Sequence, residues 1–544
     1  LNRHHHLDLL ARASALTEDG AYAEVLLEQL LGWSSANPRW TGVNWSSPLE
    51  ISVRLINWCW ALAVTGHEHI RPWQGSALMR ASIAEQAAHV LRHLSRYSSA
   101  NNHLMGEAAG LAIVGECFPD MSRARRWSDC GFSILAEELP KQIYADGVPA
   151  EQAVAYLAFI LELNLWAWQV AARRELEVPP IWPDRLGAAA DFLAHIMDAK
   201  GQVPMIGDSA DASVLGGHDR PATARLRPIL AAAATVLNRP DLKRAAGKWD
   251  ELPHLMLGVE GKRRFDAIPE HREPPGSKLF PDGGYGIMRS GDCMIVFDCG
   301  PLGYLSTAAH GHADALSVWL HLNGEPVLVD SGTFAYQEGH AWRTFFRGTS
   351  AHNTVLLDGE DQSQQLGDFL WGRKAVTRLI RWETNKDHDL AVAEHDGYRP
   401  RGVIHRRSVL FVKPNVMLVV DDLVGQGRHR VQQLWHFPPH ARISRADPNL
   451  DIQVGRASLG MSLIDPSGLE IHISAGETSP IQGWVSESYG QKSAAPVVDV
   501  RGRLDLPARL STIFRFAPAS ASLGDEPTEV MDSFERLLGK DVTG

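Results

Sequence analysis

Cysteine is scarce in this chain. Five residues in 544 are cysteine (Cys59, Cys117, Cys130, Cys293 and Cys299), none in a CxxC pair. An odd count at wide spacing excludes a disulfide framework and reads as free, mostly buried thiols. Long apolar runs are also missing, and none approaches the roughly 20 residues of a membrane span. Positive charge is in deficit, with a formal net charge of −11. That balance argues against broad nucleic-acid binding and leaves room for a local basic cleft that takes an acidic ligand. No tight repeat is present, so the chain is not an obvious solenoid. The opening "LNRHHHLDLL" lacks the apolar stretch of a signal peptide and reads as the middle of an amphipathic helix. The natural N-terminus is therefore expected upstream.

What is present divides into two halves. The chain is too long for a single hydrophobic core. Up to about residue 250, stretches such as "AYAEVLLEQLLGWSSANP" and "EQAVAYLAFILELNLWAWQVAARR" carry apolar residues at three- and four-residue intervals. Helices of that length joined by short loops predict a bundle or a toroid of helical hairpins. Residues 259–280, "VEGKRRFDAIPEHREPPGSKLF", turn charged and rich in Pro, as in a linker. Beyond them, short apolar runs such as "CMIVFDCG" and "RRSVLFVKPNVMLVVDDLVG" read as strands of a large antiparallel sandwich. The expected fold is α+β and multidomain, with a helical domain over 1–258, a linker over 259–280 and a β-sandwich over 281–544.

Chemistry concentrates in a few stretches. "AAHGHADALSVWLHLNGEPVLVDSG" holds His310, His312 and Asp314 and leads to Asp330, and "SAHNTVLL" adds His352. Neighbouring strands can bring His312, Asp330 and His352 together as a plausible Zn²⁺ set, with a hydrogen-bonded polar cluster as the alternative. In the helical half, "SSANNHLMGEAAG" places Asn101, Asn102 and His103 before a helix, more amide and imidazole than a cap needs. Glu107, four residues on, shares the face of His103 and can orient it. "DGVPAEQAVAY" sets Glu151, Gln152 and Tyr156 at a helix start, with Gln152 and Tyr156 on one face. "PRWTGVNWSSPLEISVRLINW" offers Trp40 and Trp45 as loop aromatics for a sugar face. Arg54, in an apolar helix, needs either Glu50 or an anionic ligand. Gly207, Asp208 and Asp211 lie in the polar loop "VPMIGDSADAS". Arg343 and Arg347, upstream of His352, can clamp an acidic substrate, with structural salt bridging as the alternative.

Taken in order, "NNHLMGEAAGL", "DGVPAEQAVAY", "HGHADALSVWLHLNGEPVLVDSGTFAY" and "RGTSAHNTVLLDG" resemble the heparinase II/III-like polysaccharide lyases, a group that includes oligoalginate and exopolysaccharide-cluster lyases. The resemblance implies an incomplete (α/α) toroid followed by an antiparallel β-sandwich. It implies β-elimination at a uronic acid of an acidic polysaccharide, outside the cytoplasm in the periplasm or after secretion. Among the matched positions, Asn102 would hold the uronate carboxylate and Tyr156 would act as acid/base, with His103 and His310 assisting. A Zn²⁺ of structural role would be held by His312, Asp330 and His352. Trp45, Arg54, Glu107, Gln152, Arg343 and Arg347 remain the candidate substrate contacts. Two rival readings stand beside this one. A glycoside hydrolase would need a carboxylate pair drawn from Glu107, Asp146, Glu151 and Asp208. A non-catalytic glycan-binding protein would need none.

Overall fold

In the computed structural model, which describes residues 2–70, 75–210, 212–215, 225–446, 449–517 and 527–538, the helical periodicity becomes helices and the alternating stretches become strands. The chain divides into two compact units. The first comprises Leu1–Ala145, Tyr156–Ala190 and Asp211–His271, and the second Asp146–Ala155, Asp191–Ala210 and Arg272–Gly544.

The first unit is helical. Helix Pro48–Thr65 starts where its sequence directs: Pro48 occupies the first turn, and the Ser47 hydroxyl accepts from the Glu50 N–H at 3.4 Å. Helices Asn102–Cys117 and Ala124–Gln142 touch backbone to backbone through two glycines. A Cβ on Gly115 would sit 2.6 Å from Ala124 O, and one on Gly131 would sit 2.5 Å from Ala108 O. That close contact anchors the helix whose first residues are Asn102 and His103. One helix among the described residues, Val154–Arg173, has the length and apolarity of a membrane span, contrary to the sequence expectation. Of its most apolar window, 78% is buried inside the protein, as in a core helix.

The second unit is antiparallel β-structure. Strands Lys278–Phe280, Tyr285–Ser290, Cys293–Asp298, Val318–Leu322 and Glu325–Leu328 form a five-stranded sheet in chain order. An eight-stranded sheet centres on Ile404–Val412, Val416–Val424 and Ala508–Ala517. A four-stranded sheet holds Leu469–Ser474, Val497–Asp505, Arg428–His436 and Val355–Leu357. One apolar core joins all three, with Phe297 and Leu320 from the first, Phe411 and Phe514 from the second, and Trp435 and Val500 from the third. Strand Asn449–Val454 alternates exposed and buried residues, while Cys293–Asp298 is buried throughout because both its faces are covered.

The boundaries differ from the sequence expectation. Residues 259–267 continue helix Glu251–Ala267, which kinks at Gly258 (φ 66°). Residues 278–280 are already the first strand. Charge and proline had masked a helix that buries Gly261 and Phe265. Two segments assigned to the helical domain, Asp146–Ala155 and Asp191–Ala210, belong to the β unit. The Asp146 carboxylate explains the first, because it accepts from the N–H groups of Asp282 at 2.7 Å and Gly283 at 2.9 Å. All five cysteines are free, as their spacing implied.

Candidate functional site

One cluster of ionisable residues in the β unit converges on a buried carboxylate, Asp208. Gly207 makes its approach possible: it has φ 64°, and a Cβ there would lie 2.2 Å from Gln152 O. The Asp208 N–H then donates to His310 O at 2.9 Å, and the Ser209 N–H donates to Thr333 Oγ1 at 2.8 Å. With its backbone tied, the Asp208 carboxylate receives His310 Nδ1–H and His312 Nε2–H, each at 3.0 Å. Arg343 donates to both its oxygens, at 2.5 and 2.6 Å. Burial alone would raise this carboxyl. The Arg343 charge and the hydrogen bonds from His310, His312 and Arg343 outweigh burial and hold it well below the usual carboxylate range. Glu151 lies on the other side of His310, with Oε2 3.6 Å from Nε2. Tyr336 and Phe369 place their rings 6.4 and 6.1 Å from the imidazole.

His312 faces a second cluster. One ligand atom from each of His312, Asp330 and His352 lies within 4.8 Å of the others, and all three residues are buried. His352 Nδ1–H donates to Asp330 Oδ2 at 2.9 Å. Burial lowers the His352 pKa, but the Asp330 charge and hydrogen bond outweigh that and raise it. The remaining nitrogens, His312 Nδ1 and His352 Nε2, are buried with no hydrogen-bond partner among the described residues. Two bare imidazole nitrogens beside a carboxylate are a donor set that suits a divalent metal. The Asp208 bond to His312 supplies the outer carboxylate that orients such a ligand. The position of His352 is set from behind. Arg407, itself bidentate to Asp421 at 2.7 and 2.8 Å, donates to the backbone carbonyl of the next residue, Asn353, at 2.5 Å.

The candidates in the helical unit separate into two groups. Asn102 and His103 open helix Asn102–Cys117, where the Asn101 side chain accepts from the His103 N–H at 3.2 Å. Asn102 and Tyr156 are nearly buried, and His103 is half-buried. Glu107 does not orient His103. Its carboxylate accepts from the Ser95 N–H and hydroxyl, both at 2.7 Å, and burial pushes its pKa up to about 7. Trp45 is not a loop platform but core, 5% exposed, with its indole N–H on Asn37 O. Arg54 makes no direct bond to Glu50, although the Glu50 charge acts on it. Glu50 binds Arg3, while Arg54 is fully buried, donates to Gln86 and Asn2, and stacks 4.3 Å over Trp33.

Three further substrate candidates in the β unit make internal bonds, while Arg347 Nε and Nη2 and Gln152 Oε1 keep no partner among the described residues. Gln152 lies before the helix, not on it, at φ 54°, and its amide donates to Gly283 O at 3.2 Å. Arg343 clamps Asp208 rather than a ligand. Arg347 is fully buried, stacks 4.5 Å over Trp371 and donates to Gly367 O. Burial and the Arg343 charge pull its pKa down to about 10. One helix turn separates these two arginines, so both face the interior together. Asp208 and Glu151, offered by the sequence only as carboxylates for the hydrolase alternative, stand at the centre of this cluster. The available signal was Gly207 directly before Asp208, a glycine needed where a charged loop enters a core. Asp211 lies outside the described residues.

Residues 1–216 match the family description "Heparinase II/III N-terminus", and residues 272–519 match "Heparinase II/III-like, C-terminal". A heparin-sulfate lyase of Bacteroides thetaiotaomicron is 25% identical over 453 residues, which is 78% of this chain and 59% of that protein. The chain therefore spans about three-fifths of that relative's length. The heparin-sulfate lyase of Bacteroides stercoris is 23% identical over 532 residues, 90% of this chain and 71% of that protein. A solved structure of heparinase III matches with a TM-score of 0.76 at 19% identity, over 96% of this chain and 77% of that one. The fold is accordingly an (α/α) toroid domain followed by an antiparallel β-sandwich domain.

Two outcomes follow from this geometry. Asp208→Asn removes the carboxylate charge that the buried Arg343 guanidinium pairs with, and chemical denaturation should show a loss of about 3–5 kcal/mol. Adding Arg343→Met should recover part of it, and an unchanged midpoint in the single variant would contradict the assigned coupling. For Glu107, the folded pKa of about 7 lies above the ordinary 4.5. The folded state holds that proton more tightly, so the stability it confers is complete below about 4.5 and is lost as pH rises through about 7. Thermal melts across that window should fall less steeply for Glu107→Gln than for the parent chain, and equal slopes would refute the assignment.

Proposed function

Because the chain belongs to the heparinase II/III-like family, matched in chain order by its N-terminal and C-terminal descriptions, we propose that it is a polysaccharide lyase that cleaves an acidic, uronate-containing polysaccharide by β-elimination. The observation that carries this reading is His310, fixed by Asp208 next to the His312–Asp330–His352 set within a chain of this family. Both named relatives are heparin-sulfate lyases, which supports a uronate polymer as the substrate class.

The chemistry sets what the residues must do. The C5 proton of a uronate is weakly acidic, and its removal pushes charge onto the adjacent carboxylate. Asn102 donates its amide to that carboxylate. Tyr156 takes the C5 proton, the C5–H and C4–O bonds break, a C4=C5 double bond forms, and the Tyr156 phenol returns that proton to the departing C4 oxygen. A phenol with an ordinary pKa near ~10 needs donor neighbours to serve as a base. By the family resemblance His103 and His310 assist as base or carboxylate contact, His310 with its ring orientation held by Asp208. His312, Asp330 and His352 would hold a Zn²⁺ ion, whose fixed charge ties their loops together. The glycoside hydrolase reading loses ground, because three of its four candidate carboxylates are committed elsewhere and a pair is needed: Glu107 to Ser95, Asp146 to the Asp282 and Gly283 N–H groups, and Asp208 to Arg343.

Digestion of a panel of uronate polymers should release a product with an unsaturated, ultraviolet-absorbing end, and Tyr156→Phe should abolish it. New reducing ends without that absorbance would overturn the lyase assignment. Purified protein should carry close to one equivalent of zinc by elemental analysis, and His352→Ala should lose most of it. Metal content unaffected by that change would remove His352 from the site.

A further inference from the structure

A cavity of about 490 Å³ opens on the helical unit, lined by none of the residues given a catalytic or metal role above. Its floor is helix Ser76–Arg92, where Ala81, Ala84 and Ala88 recur every three or four residues and leave the surface low. Arg80 and Arg92 stand at its two ends, about 18 Å apart along the helix axis. Arg39 and Arg123 line the groove as well.

The charges in this groove are not used up. Arg80 pairs with Asp120 at 2.7 Å. No carboxylate among the described residues pairs with Arg39, Arg92 or Arg123, and Glu85 is the sole acid of the lining. Trp40 keeps two of these guanidiniums in place, with Arg39 4.0 Å and Arg92 5.7 Å from its ring. The indole is in turn fixed by its N–H bond to His89 Nδ1 at 3.0 Å. Three guanidiniums with no carboxylate partner among the described residues suit a ligand that supplies acceptors.

We propose that this groove is a second binding site for acidic polysaccharide, holding a chain segment by its carboxylates or sulfates while the catalytic residues act elsewhere on the polymer. The spread of arginines over three to four helix turns fits an extended polyanion better than a single small ion. Guanidinium groups bind carboxylate and sulfate in bidentate fashion. The choice of a glycan over an acidic peptide rests on the function proposed above.

The test is affinity electrophoresis of the full chain through gels containing heparan sulfate or alginate, in a Tyr156→Phe background that halts turnover. The parent should be retarded, less so in high salt. Arg39→Gln combined with Arg92→Gln should weaken the apparent affinity about tenfold or more. Ala81→Glu, which places a carboxylate on the exposed floor without touching an arginine, should weaken it too. In the catalytically intact chain, the arginine variants should raise KM for long polymer and leave turnover of a short oligosaccharide unchanged. Unaltered retention in all variants, a parent that neither gel retards, or equal displacement by poly-glutamate would each overturn the proposal. The two proposals can fail separately. Retention that depends on the arginines without any unsaturated product leaves the groove standing and removes the lyase. Unsaturated product with arginine-independent retention does the reverse.

Discussion

A carboxylate with no exposure to water is among the costliest groups a protein can bury, and Asp208 is tolerable because three partners converge on it. Its bidentate pair with Arg343 supplies the counter-charge, and His310 and His312 fill the remaining acceptor positions. Those partners come from two separate stretches of chain, and Asp208 itself from a third. Satisfying one carboxylate therefore fixes where the His310 loop, the helix His340–Arg347 and the 191–210 segment meet. His310 and His312 were divided by the sequence reading into a catalytic and a metal role. The structure keeps both roles available and makes them share one orienting group.

The rest of the β unit supplies the rigidity this arrangement needs. Its three sheets close on a single apolar core, and the buried Arg407–Asp421 pair extends from that core to the backbone beside His352. Asp146 and Gln152 staple the 146–155 segment to the turn at Gly283. That staple carries Glu151 to His310. Few of these contacts are local, so each piece is held by residues far away in the chain.

The arginines show where residue type stops being informative. Arg54, Arg343 and Arg347 stood out as charges in apolar surroundings, and substrate binding was a reasonable reading of each. All three are interior, tied to Gln86, Asp208 and the Gly367 carbonyl. Arg39, Arg92 and Arg123 carried no sequence signal, yet at a groove they have no carboxylate partner among the described residues. A guanidinium reads the same in sequence whether its partner is a distant carboxylate or a ligand, because the partner is chosen by the fold.

Periodicity alone determined the order of a helical half and a stranded half, since the period of burial is built into each backbone geometry. Residue type offered His312, Asp330 and His352 as a candidate donor set with a hydrogen-bonded polar cluster as the alternative, and only the fold brings their ligand atoms within 4.8 Å of one another. The chain could not show that residues 146–155 and 191–210 cross into the β unit, nor that a helix runs through the charged stretch before it. It could not show that Trp45 is core and Glu107 belongs to Ser95. Those outcomes depend on which buried polar group finds which partner, and a buried polar group must be satisfied by whatever the tertiary structure brings within about 3 Å.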